Sequence, residues 1–416
     1  MEPVRFVVVG LGGYGLVHIE AVRWLSRNGL GRLAGVVALD FDRNARPAMV
    51  ADLEKEGVTL YRSVEEFFQR GVPTADVLTV PIGIHQHVPV SCAALEAGLH
   101  VYCEKPVAAT VQEVDRLIAA EAASHRKVAI GFQHVYGSSM QRLKQLLHAG
   151  RIGHVREISL MCGWPRSVKY FQRNEWAGRL KVGPDWILDS PANNAHAHYV
   201  MNALFLASTE LHHAASPATL RAELWRAHRI ESADTVQCRM TTDGGVDVSI
   251  LVTHANGFAN GPIMHVTGDR GRIYWLTDEG RATVIDGSGR PETFDNRTHP
   301  LWRYDGFKNL AEAIRTGGPV GCPPVMARAQ TLAVNLMHES CRDIVTVPEQ
   351  YITELEDWEM YPPDTRGVFR RIIGMDEAMH VAFHERAFLS ELGLDWTAGM
   401  VSRRVAGAGY VKYPAG

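Results

Sequence analysis

A glycine-rich turn between a strand and a helix is the feature that most constrains the fold of this chain. Residues 4–9 form a β-branched run of strand type, which leads directly into Gly10-Leu11-Gly12-Gly13-Tyr14-Gly15. A segment of helical period follows, with Val17, Ala21 and Leu25 on one side. Glycines at the first, third and sixth positions let the backbone approach a pyrophosphate, and the helix N-terminus offers free N–H groups. The pattern therefore predicts a dinucleotide-binding turn.

An acidic residue at the end of the next strand supports this prediction. The second strand, residues 33–39, ends at Asp40, whose carboxylate can accept hydrogen bonds from the adenosine ribose hydroxyls. The same carboxylate would repel a 2′-phosphate, so the sequence favours NAD over NADP as the cofactor. Arg43 follows three residues later and is placed to lie over the adenine.

Strands and helices continue to alternate up to residue 132. Buried strand patterns cover residues 58–61, 76–80, 99–103 and 127–132, and helical patterns cover 64–70, 87–97 and 111–124. This alternation predicts a doubly wound parallel sheet with right-handed crossovers. We therefore expect an α/β Rossmann dinucleotide-binding domain over residues 1–132.

The pattern changes after residue 133. Segments of strand type dominate, several of them joined by hairpin turns such as Asp243-Gly244-Gly245. We expect residues 133–345 to form an α+β domain for substrate binding and oligomerisation, built on a large, mainly antiparallel open sheet. Residues 346–416 have the pattern of helices and loops and are expected to be a helical C-terminal extension packed on the other domains.

Composition excludes several functional classes. The chain has 416 residues and a formal net charge of −3, which gives no electrostatic reason to expect nucleic acid or an anionic membrane as a partner. It lacks an apolar run long enough to span a bilayer and a signal-type N-terminus. The six cysteines are scattered without a C-x-x-C pair, so we expect a reducing cytoplasm and neither disulfides nor a zinc cluster.

The tripeptide Glu104-Lys105-Pro106 is the first candidate for chemistry. It follows the buried strand 99–103, and ligands of open α/β sheets bind outside the carboxyl ends of such strands. A carboxylate and an amine at this position are placed to act on a bound molecule. The alternative is a surface ion pair before a turn-forming proline.

Taken together, these motifs resemble those of the Gfo/Idh/MocA oxidoreductase family, named for glucose–fructose oxidoreductase and inositol dehydrogenase. The resemblance covers about the first 345 residues, and the segment after them lies beyond the common core of the family. The matching features are the glycine turn, Asp40, Pro81 with His85, the segment 98–106 ending in Glu104-Lys105-Pro106, Gly131-Phe132-Gln133, Gly150-Arg151-Ile152-Gly153 and the segment 313–317.

The resemblance implies a role for each matching residue. Gly10, Gly12, Gly13, Tyr14 and Gly15 would hold the pyrophosphate, and Asp40 the ribose. Pro81, His85, Glu104 and Gln133 would lie along the nicotinamide half of the cofactor. Lys105 matches the catalytic lysine of the family, and we expect a cis peptide bond between Lys105 and Pro106. Ile82 stands where the family often has asparagine, so any polar contact at that position is lost.

Lysine chemistry agrees with this role. Oxidation of a secondary alcohol needs a base for the hydroxyl proton while a hydride leaves to the nicotinamide. A free lysine, with a pKa of about 10.4, is too basic to accept a proton at neutral pH. A partly buried site beside a cationic nicotinamide would lower that pKa.

A second catalytic stretch follows the aromatic loop. Ser190 as N-cap and Pro191 at the first helical position predict a helix start, with Asn193 and His196 on one face and Asp189 just before it. The family usually has D-x-G-x-H-x-x-D here. Without a gap the family histidine falls on Asn193, and with a one-turn insertion it falls on His196. We predict that Asp189, Asn193 and His196 line the substrate pocket as catalytic residues.

The loop 163–186 combines aromatic side chains with polar donors. Trp164, Tyr170, Phe171, Trp176 and Trp186 suit stacking on a sugar or cyclitol ring, and Trp176 is our candidate substrate contact. A loop that only packs domains together would have the same composition. The pairs His196/His198 and His212/His213 diverge on a helix, so we predict no metal site.

The sequence thus predicts an NAD-dependent oxidoreductase acting on a secondary hydroxyl or ketone of a sugar, cyclitol or sugar acid. One alternative is an NAD-dependent enzyme that cleaves glycosides by transient oxidation and elimination. The other is a non-catalytic dinucleotide-sensing regulator, against which the intact Glu104-Lys105-Pro106 argues. An open sheet face often pairs with a second copy, so we expect a homodimer or homotetramer.

Overall fold

The computed structural model describes residues 2–276, 281–294, 302–341, 343–357 and 366–415. Small parts of the predicted second domain and of the predicted extension lie outside the described residues. No described helix is both long and apolar enough to cross a membrane.

The strands and helices are numbered here in chain order. The strands are β1 (Val4–Val9), β2 (Gly31–Val37), β3 (Thr59–Tyr61), β4 (Val77–Val80), β5 (His100–Cys103), β6 (Val128–Ile130), β7 (Val155–Gly163), β8 (Lys181–Val182), β9 (Asp185–Trp186), β10 (Pro217–Arg226), β11 (Thr235–Thr242), β12 (Asp247–Thr253), β13 (Asn260–Gly268), β14 (Gly271–Trp275), β15 (Ala282–Ile285), β16 (Pro291–Phe294), β17 (Val345–Thr346), β18 (Ile352–Asp357), β19 (Gly367–Ile372) and β20 (Val405–Ala406). The helices are α1 (Gly15–Arg27), α2 (Asp40–Ala45), α3 (Pro47–Lys55), α4 (Val64–Arg70), α5 (Ile84–Glu96), α6 (Val111–Ser124), α7 (Gln133–Tyr136), α8 (Ser138–His148), α9 (Val168–Phe171), α10 (Ala197–Ala207), α11 (Asp305–Thr316), α12 (Pro324–Ser340) and α13 (Met375–Glu385).

The chain divides into two compact units. The first holds Met1–Ala108, Gln112–Tyr136 and Leu301–Arg328, and the second holds Ala109–Val111, Gly137–Pro300 and Ala329–Gly416. Residues 301–328 therefore group with the first unit, although the predicted boundary at residue 132 assigned them to the second domain. The reason is packing: Phe307 and Leu310 of α11 join the apolar core formed by β1 and α1.

The first unit is the predicted parallel sheet. Six parallel strands lie in the order β3-β2-β1-β4-β5-β6. The order reverses between β1 and β4, which is where α/β sheets of this kind open a ligand-binding crevice at their carboxyl edge. This confirms the Rossmann fold that the sequence predicts.

Within its described residues, the second unit is built on a ten-stranded sheet. Its main path is β16-β15-β14-β13-β7-β12-β11-β10-β17, with β20 paired to β10. Neighbouring strands are antiparallel except for the parallel pairs β7/β12 and β10/β17. The α+β fold with a large, mainly antiparallel sheet is thus confirmed.

The C-terminal segment differs from its prediction. It contains an antiparallel pair of strands, β18 and β19, in addition to α13, so the expectation of helices and loops alone was wrong. Met375, Met379 and Trp396 pack in one core cluster with Met161 and Leu251 of the sheet. The helix α10 contacts β7 and β12 without entering that cluster. This part of the sheet therefore packs against both α10 and the C-terminal segment.

Candidate active site

The predicted cofactor residues of the first unit gather at one edge of its sheet. The glycine turn follows β1, Asp40 follows β2, Pro81 follows β4, Glu104 follows β5 and Gln133 follows β6. Because all six strands are parallel, these residues share the carboxyl edge of the sheet.

The glycine turn has the geometry that its sequence predicts. Gly10 and Gly13 have φ angles of +107° and +51°, which favour glycine over residues with a side chain. A Cβ on Gly15 would lie 2.5 Å from the carbonyl oxygen of Gly10, so only glycine permits this close packing. No side chain caps the N-terminus of α1. Its backbone N–H groups are thus suited to an anionic ligand such as a pyrophosphate.

The residues after β2 carry one unpaired carboxylate and two arginines. Asp40 is exposed and has no hydrogen-bond partner among the described residues. Arg43 Nε donates to the carbonyl oxygen of Ala38 at 2.8 Å, which holds the guanidinium beside the end of β2. Arg46 pairs with Asp42 at 3.8 Å, and its guanidinium lies near Gly12. This side-chain set fits the adenosine end of a dinucleotide, and Arg46 is a neighbour that the sequence did not single out.

Glu104 is held by a histidine from α1. His18 Nε2 lies 3.0 Å from Glu104 Oε1, and the backbone N–H of Lys105 donates to Oε2 at 3.1 Å. Both side chains are buried, with His18 fully so. A Cβ on Gly131 would lie 2.7 Å from Oε1, so this glycine leaves the space that the carboxylate occupies. His18 was missed at the sequence level because only the folded sheet brings it to the end of β5.

Lys105 begins a turn that is held in place by His87. The Lys105–Pro106 bond is cis, which confirms the expectation from the sequence. His87 is buried between two carbonyl oxygens, with Nδ1 2.8 Å from that of Pro106 and Nε2 3.0 Å from that of Ile82. It thereby ties the Lys105 turn to the loop after β4, and burial lowers the pKa of its ring.

His85 and Gln133 lie on the same edge. His85 Nδ1 is buried and has no hydrogen-bond partner within the described part of the chain. Gln133 begins α7, and its Oε1 accepts a hydrogen bond from the Tyr14 hydroxyl at 3.3 Å. The hydrogen bond between Tyr14 and Gln133 therefore joins the glycine turn to the segment after β6.

In the second unit, the parallel pair β7/β12 creates another edge with polar side chains. Trp164 directly follows β7 and His254 directly follows β12. The His196 ring lies 5.0 Å from Trp164 and 4.9 Å from His254, centroid to centroid. His196, one of the predicted pocket residues, is thus buried within a cluster of aromatic and histidine rings.

His254 is the functional candidate that sequence reasoning missed. Its Nδ1 donates to the carbonyl oxygen of Trp164 at 2.8 Å, which leaves the lone pair of the neutral ring on Nε2. Burial, followed by the neighbouring His196 and Arg166, lowers the pKa of His254 well below its usual value. Nε2 has no hydrogen-bond partner among the described residues. The sequence did show His254 as a polar residue just after a strand. Its neighbour across the sheet, Trp164, lies 90 residues away in the chain, so no local pattern connects the two residues.

Asp189 and Asn193 are engaged in local structure. Asp189 Oδ2 accepts from the backbone N–H of Gly178 at 2.6 Å, and Oδ1 accepts from Asn194 Nδ2 at 2.8 Å. Asn193 is fully buried and donates to the carbonyl oxygens of Ile187 and Leu188. Both anchor the segment between the aromatic loop and α10.

The predicted helix start at Ser190 and Pro191 was wrong. Residues 191–196 form turns, and α10 begins only at Ala197. The physical reason is that Asn193 bonds to nearby carbonyl oxygens and so competes with helical backbone bonding. Ser190 does cap this turn, since its hydroxyl accepts from the Asn193 N–H at 3.3 Å.

The aromatic loop splits into separate contacts. Tyr170 lies 5.9 Å from the His254 ring, and the Arg166 guanidinium lies 5.0 Å from the Tyr170 ring. Trp176 is half-buried and lies 5.1 Å from the Arg173 guanidinium. Trp186 instead packs on Tyr413. Trp164 and Tyr170 therefore belong to the histidine cluster, whereas Trp186 contacts the C-terminal segment.

Two family models match the chain. Residues 4–132 match the model described as "Oxidoreductase family, NAD-binding Rossmann fold", and residues 140–274 match the "GFO/IDH/MocA C-terminal domain".

Curated relatives carry the name inositol 2-dehydrogenase. Inositol 2-dehydrogenase 1 of Saccharopolyspora erythraea is 35% identical over 151 residues, which are 36% of this chain and 43% of the relative. Inositol 2-dehydrogenase 2 of the same organism is 26% identical over 316 residues, which are 75% of this chain and 85% of the relative. The chain therefore spans less than half the length of the first of these relatives.

Solved structures share the fold. The WlbA dehydrogenase from Bordetella pertussis, in complex with NADH and UDP-GlcNAcA, is 19% identical with a TM-score of 0.65. The match covers 81% of this chain and 96% of that one.

Proposed function

Because this chain belongs to the Gfo/Idh/MocA oxidoreductase family, we propose that it is an NAD-dependent oxidoreductase. It moves a hydride between the nicotinamide and a secondary hydroxyl or ketone of a sugar, cyclitol or sugar acid. The observation that carries the proposal is the Glu104-Lys105-Pro106 turn, fixed by His18 and His87 on the sheet edge that also holds the glycine turn.

The first unit binds the cofactor through residues on that edge. The glycine turn and the open N-terminus of α1 hold the pyrophosphate, and the unpaired Asp40 carboxylate accepts from the ribose. Glu104 and His85 lie toward the nicotinamide half. When bound, NAD supplies the hydride acceptor.

Lys105 is the proton acceptor for the substrate hydroxyl. Its backbone is fixed on both sides, by Glu104 before it and by Pro106 with His87 after it. A fixed backbone limits where the amine can reach, and such positioning is a large part of general-base efficiency.

The second unit recognises the substrate ring. His254 Nε2 accepts a hydrogen bond from a substrate hydroxyl, because an acceptor atom with no partner among the described residues favours a donor from the ligand. Trp164 and Tyr170 offer aromatic surface, and Arg166 offers a cation beside them. Polyhydroxylated rings combine hydroxyl donors with apolar C–H faces, which suits this set of side chains. Asp189 and Asn193 support the segment, and His196 is the next candidate for the base.

A stopped-flow screen of the NAD-loaded protein tests this function. Cyclitols, free sugars, sugar acids, nucleotide sugars and glycosides are mixed with it, and NADH absorbance is followed. We expect NADH to form with one of the hydroxylated classes. Trapped NADH without net turnover, together with release of an aglycone, would assign the glycoside-cleaving reaction instead. A cofactor-loaded protein that forms no NADH with any class would refute the proposal.

Assembly as a homodimer or homotetramer stays a prediction. A light-scattering mass of one chain at micromolar concentration would contradict it.

A further inference from the structure

One short C-terminal segment contacts three loops of the second unit. We call residues 367–376, which comprise β19 and the start of α13, the strap. Phe369 forms a β-bridge with Ser167, Arg370 Nε donates to the carbonyl oxygen of Ala227 at 2.8 Å, and Ile372 N–H donates to that of Ala255 at 2.8 Å. These contacts reach the loops after β7, β10 and β12 respectively.

Asp376 of the strap makes two hydrogen bonds to the loop after β12. Its Oδ2 accepts from the backbone N–H of Gly257 at 2.7 Å, and its Oδ1 accepts from Asn256 Nδ2 at 3.1 Å. A Cβ on Gly257 would lie 2.4 Å from Oδ2, so glycine is required for this approach. Asn256 is itself fully buried and packs against Gly163, where a Cβ would lie 2.4 Å from Nδ2.

The loop held by Asp376 is the one that carries His254. His254 N–H donates to the carbonyl oxygen of Asp234 at 2.8 Å, and its own carbonyl oxygen accepts from Arg166 N–H at 3.1 Å. The loop 254–257 is thus fixed by the sheet before His254 and by the strap after it. None of these residues belongs to the first unit.

We propose that Asp376 is a positioning residue for substrate, which holds the 254–257 loop so that His254 Nε2 meets a hydroxyl of the substrate ring. This rests on the proposed function, in which His254 contacts that ring. The strap lies beyond the two matched family regions, which end at residue 274. The strap, a C-terminal segment outside these matched regions, therefore contributes to substrate recognition.

The test compares Asp376→Ala, Asp376→Asn and Glu377→Ala in the full chain. Glu377 is the matched control, since it is an exposed acid in the same helical turn with no hydrogen bond or ion pair to the described residues of the loop. Amide hydrogen exchange is followed in peptides covering residues 163–168 and 254–258. The steady-state KM and kcat are measured with the substrate that the screen identifies, and NADH affinity is measured by fluorescence titration.

We expect Asp376→Ala to speed exchange in both peptides, because the Arg166 N–H donates to the loop that the carboxylate holds. KM should rise about three- to ten-fold, as for one lost hydrogen bond, with kcat and NADH affinity nearly unchanged. Asp376→Asn, which keeps an acceptor for Gly257, should lie between Asp376→Ala and the parent. Glu377→Ala should match the parent.

Faster exchange confined to residues 254–258, or an unchanged KM, would overturn the proposal. If Asp376→Ala fails to fold, the same comparison is made with Asp376→Asn. If no substrate is found, the exchange at residues 163–168 still decides whether Asp376 positions this loop, and the proposed function fails separately.

Discussion

His18 Nε2 lies 3.0 Å from Glu104 Oε1, so the helix after the glycine turn is joined to the strand end that carries Lys105. Glu104 also accepts the backbone N–H of Lys105, and neither contact uses the lysine amine. These two contacts would therefore remain if the amine were removed.

Replacing Lys105 with methionine should therefore remove the base without moving the turn. Loss of a positioned general base typically costs ~10²–10⁴-fold in rate, so we expect NADH formation to slow by at least about a hundred-fold. NADH affinity should change little, because the pyrophosphate and ribose contacts lie elsewhere on the edge. Stopped-flow absorbance and a fluorescence titration measure the two quantities. Turnover within a few-fold of the parent would reassign the base, with His196 as the next candidate.

Cofactor choice should follow the Asp40 carboxylate. It is exposed and unpaired in the described part of the chain, so a 2′-phosphate would meet its charge directly. We expect NADH to bind at least ten-fold more tightly than NADPH, about 1.4 kcal/mol, and Asp40→Ala to narrow that ratio. Equal affinities of the parent protein in a fluorescence titration would contradict the role given to Asp40.

Substitutions of His254 can distinguish the role of Nδ1 from the role of Nε2. Asparagine can keep the donor to the Trp164 carbonyl oxygen but lacks an acceptor at Nε2, whereas glutamine can place an acceptor near Nε2. We expect His254→Asn to raise KM about three- to ten-fold and His254→Gln to raise it less. An equal KM for both variants and the parent would exclude a substrate contact at Nε2.

Stability should fall in mild acid because His254 is buried as a neutral ring. Its pKa is lowered in the folded protein, so the unfolded chain binds the proton first. The contribution of His254 to the free energy of unfolding is complete above about pH 6.5, the ordinary pKa of histidine in an unfolded chain. It decreases as the pH falls below that value. We expect the free energy of unfolding, measured with urea between about pH 7 and 5, to depend less on pH in His254→Asn than in the parent. The difference in slope should be up to about 1.4 kcal/mol per pH unit. An unchanged slope would mean that His254 titrates equally in both states.

Asp189 should contribute to stability as an anchor of the aromatic loop. Removing it leaves the buried N–H of Gly178 without its acceptor, so we expect Asp189→Ala to lower the free energy of unfolding by about 1–3 kcal/mol. Asp185→Ala, at an exposed acid nearby, should have little effect. The loss of activity should be smaller than for Lys105→Met. Urea unfolding and the same stopped-flow assay test both expectations.

The local sequence determined the parallel sheet of the first unit, whereas packing alone added residues 301–328 to that unit. Strand period, glycine placement and the residues that follow each strand are contiguous signals, and parallel strands bring their carboxyl ends to one edge by geometry alone. This is why the roles of Gly10, Asp40 and Glu104 could be predicted from strand ends before the fold was known, whereas the role of Gln133 came from the family resemblance. The role of His18 was not predicted, because this residue lies within a helix and its partner Glu104 is 86 residues away in the chain.

Tertiary structure alone decided the second unit's candidate site and the place of the C-terminal segment. The pairing of β7 with β12 is long-range, so neither the ring cluster around His254 nor the contacts of Asp376 leave a local pattern. Asn193 shows a related limit. Its spacing predicted a pocket residue, and only the fold shows that its buried side chain also donates to the carbonyl oxygens of Ile187 and Leu188. Local periodicity encodes which face of an element is buried, whereas only packing determines which distant groups meet there.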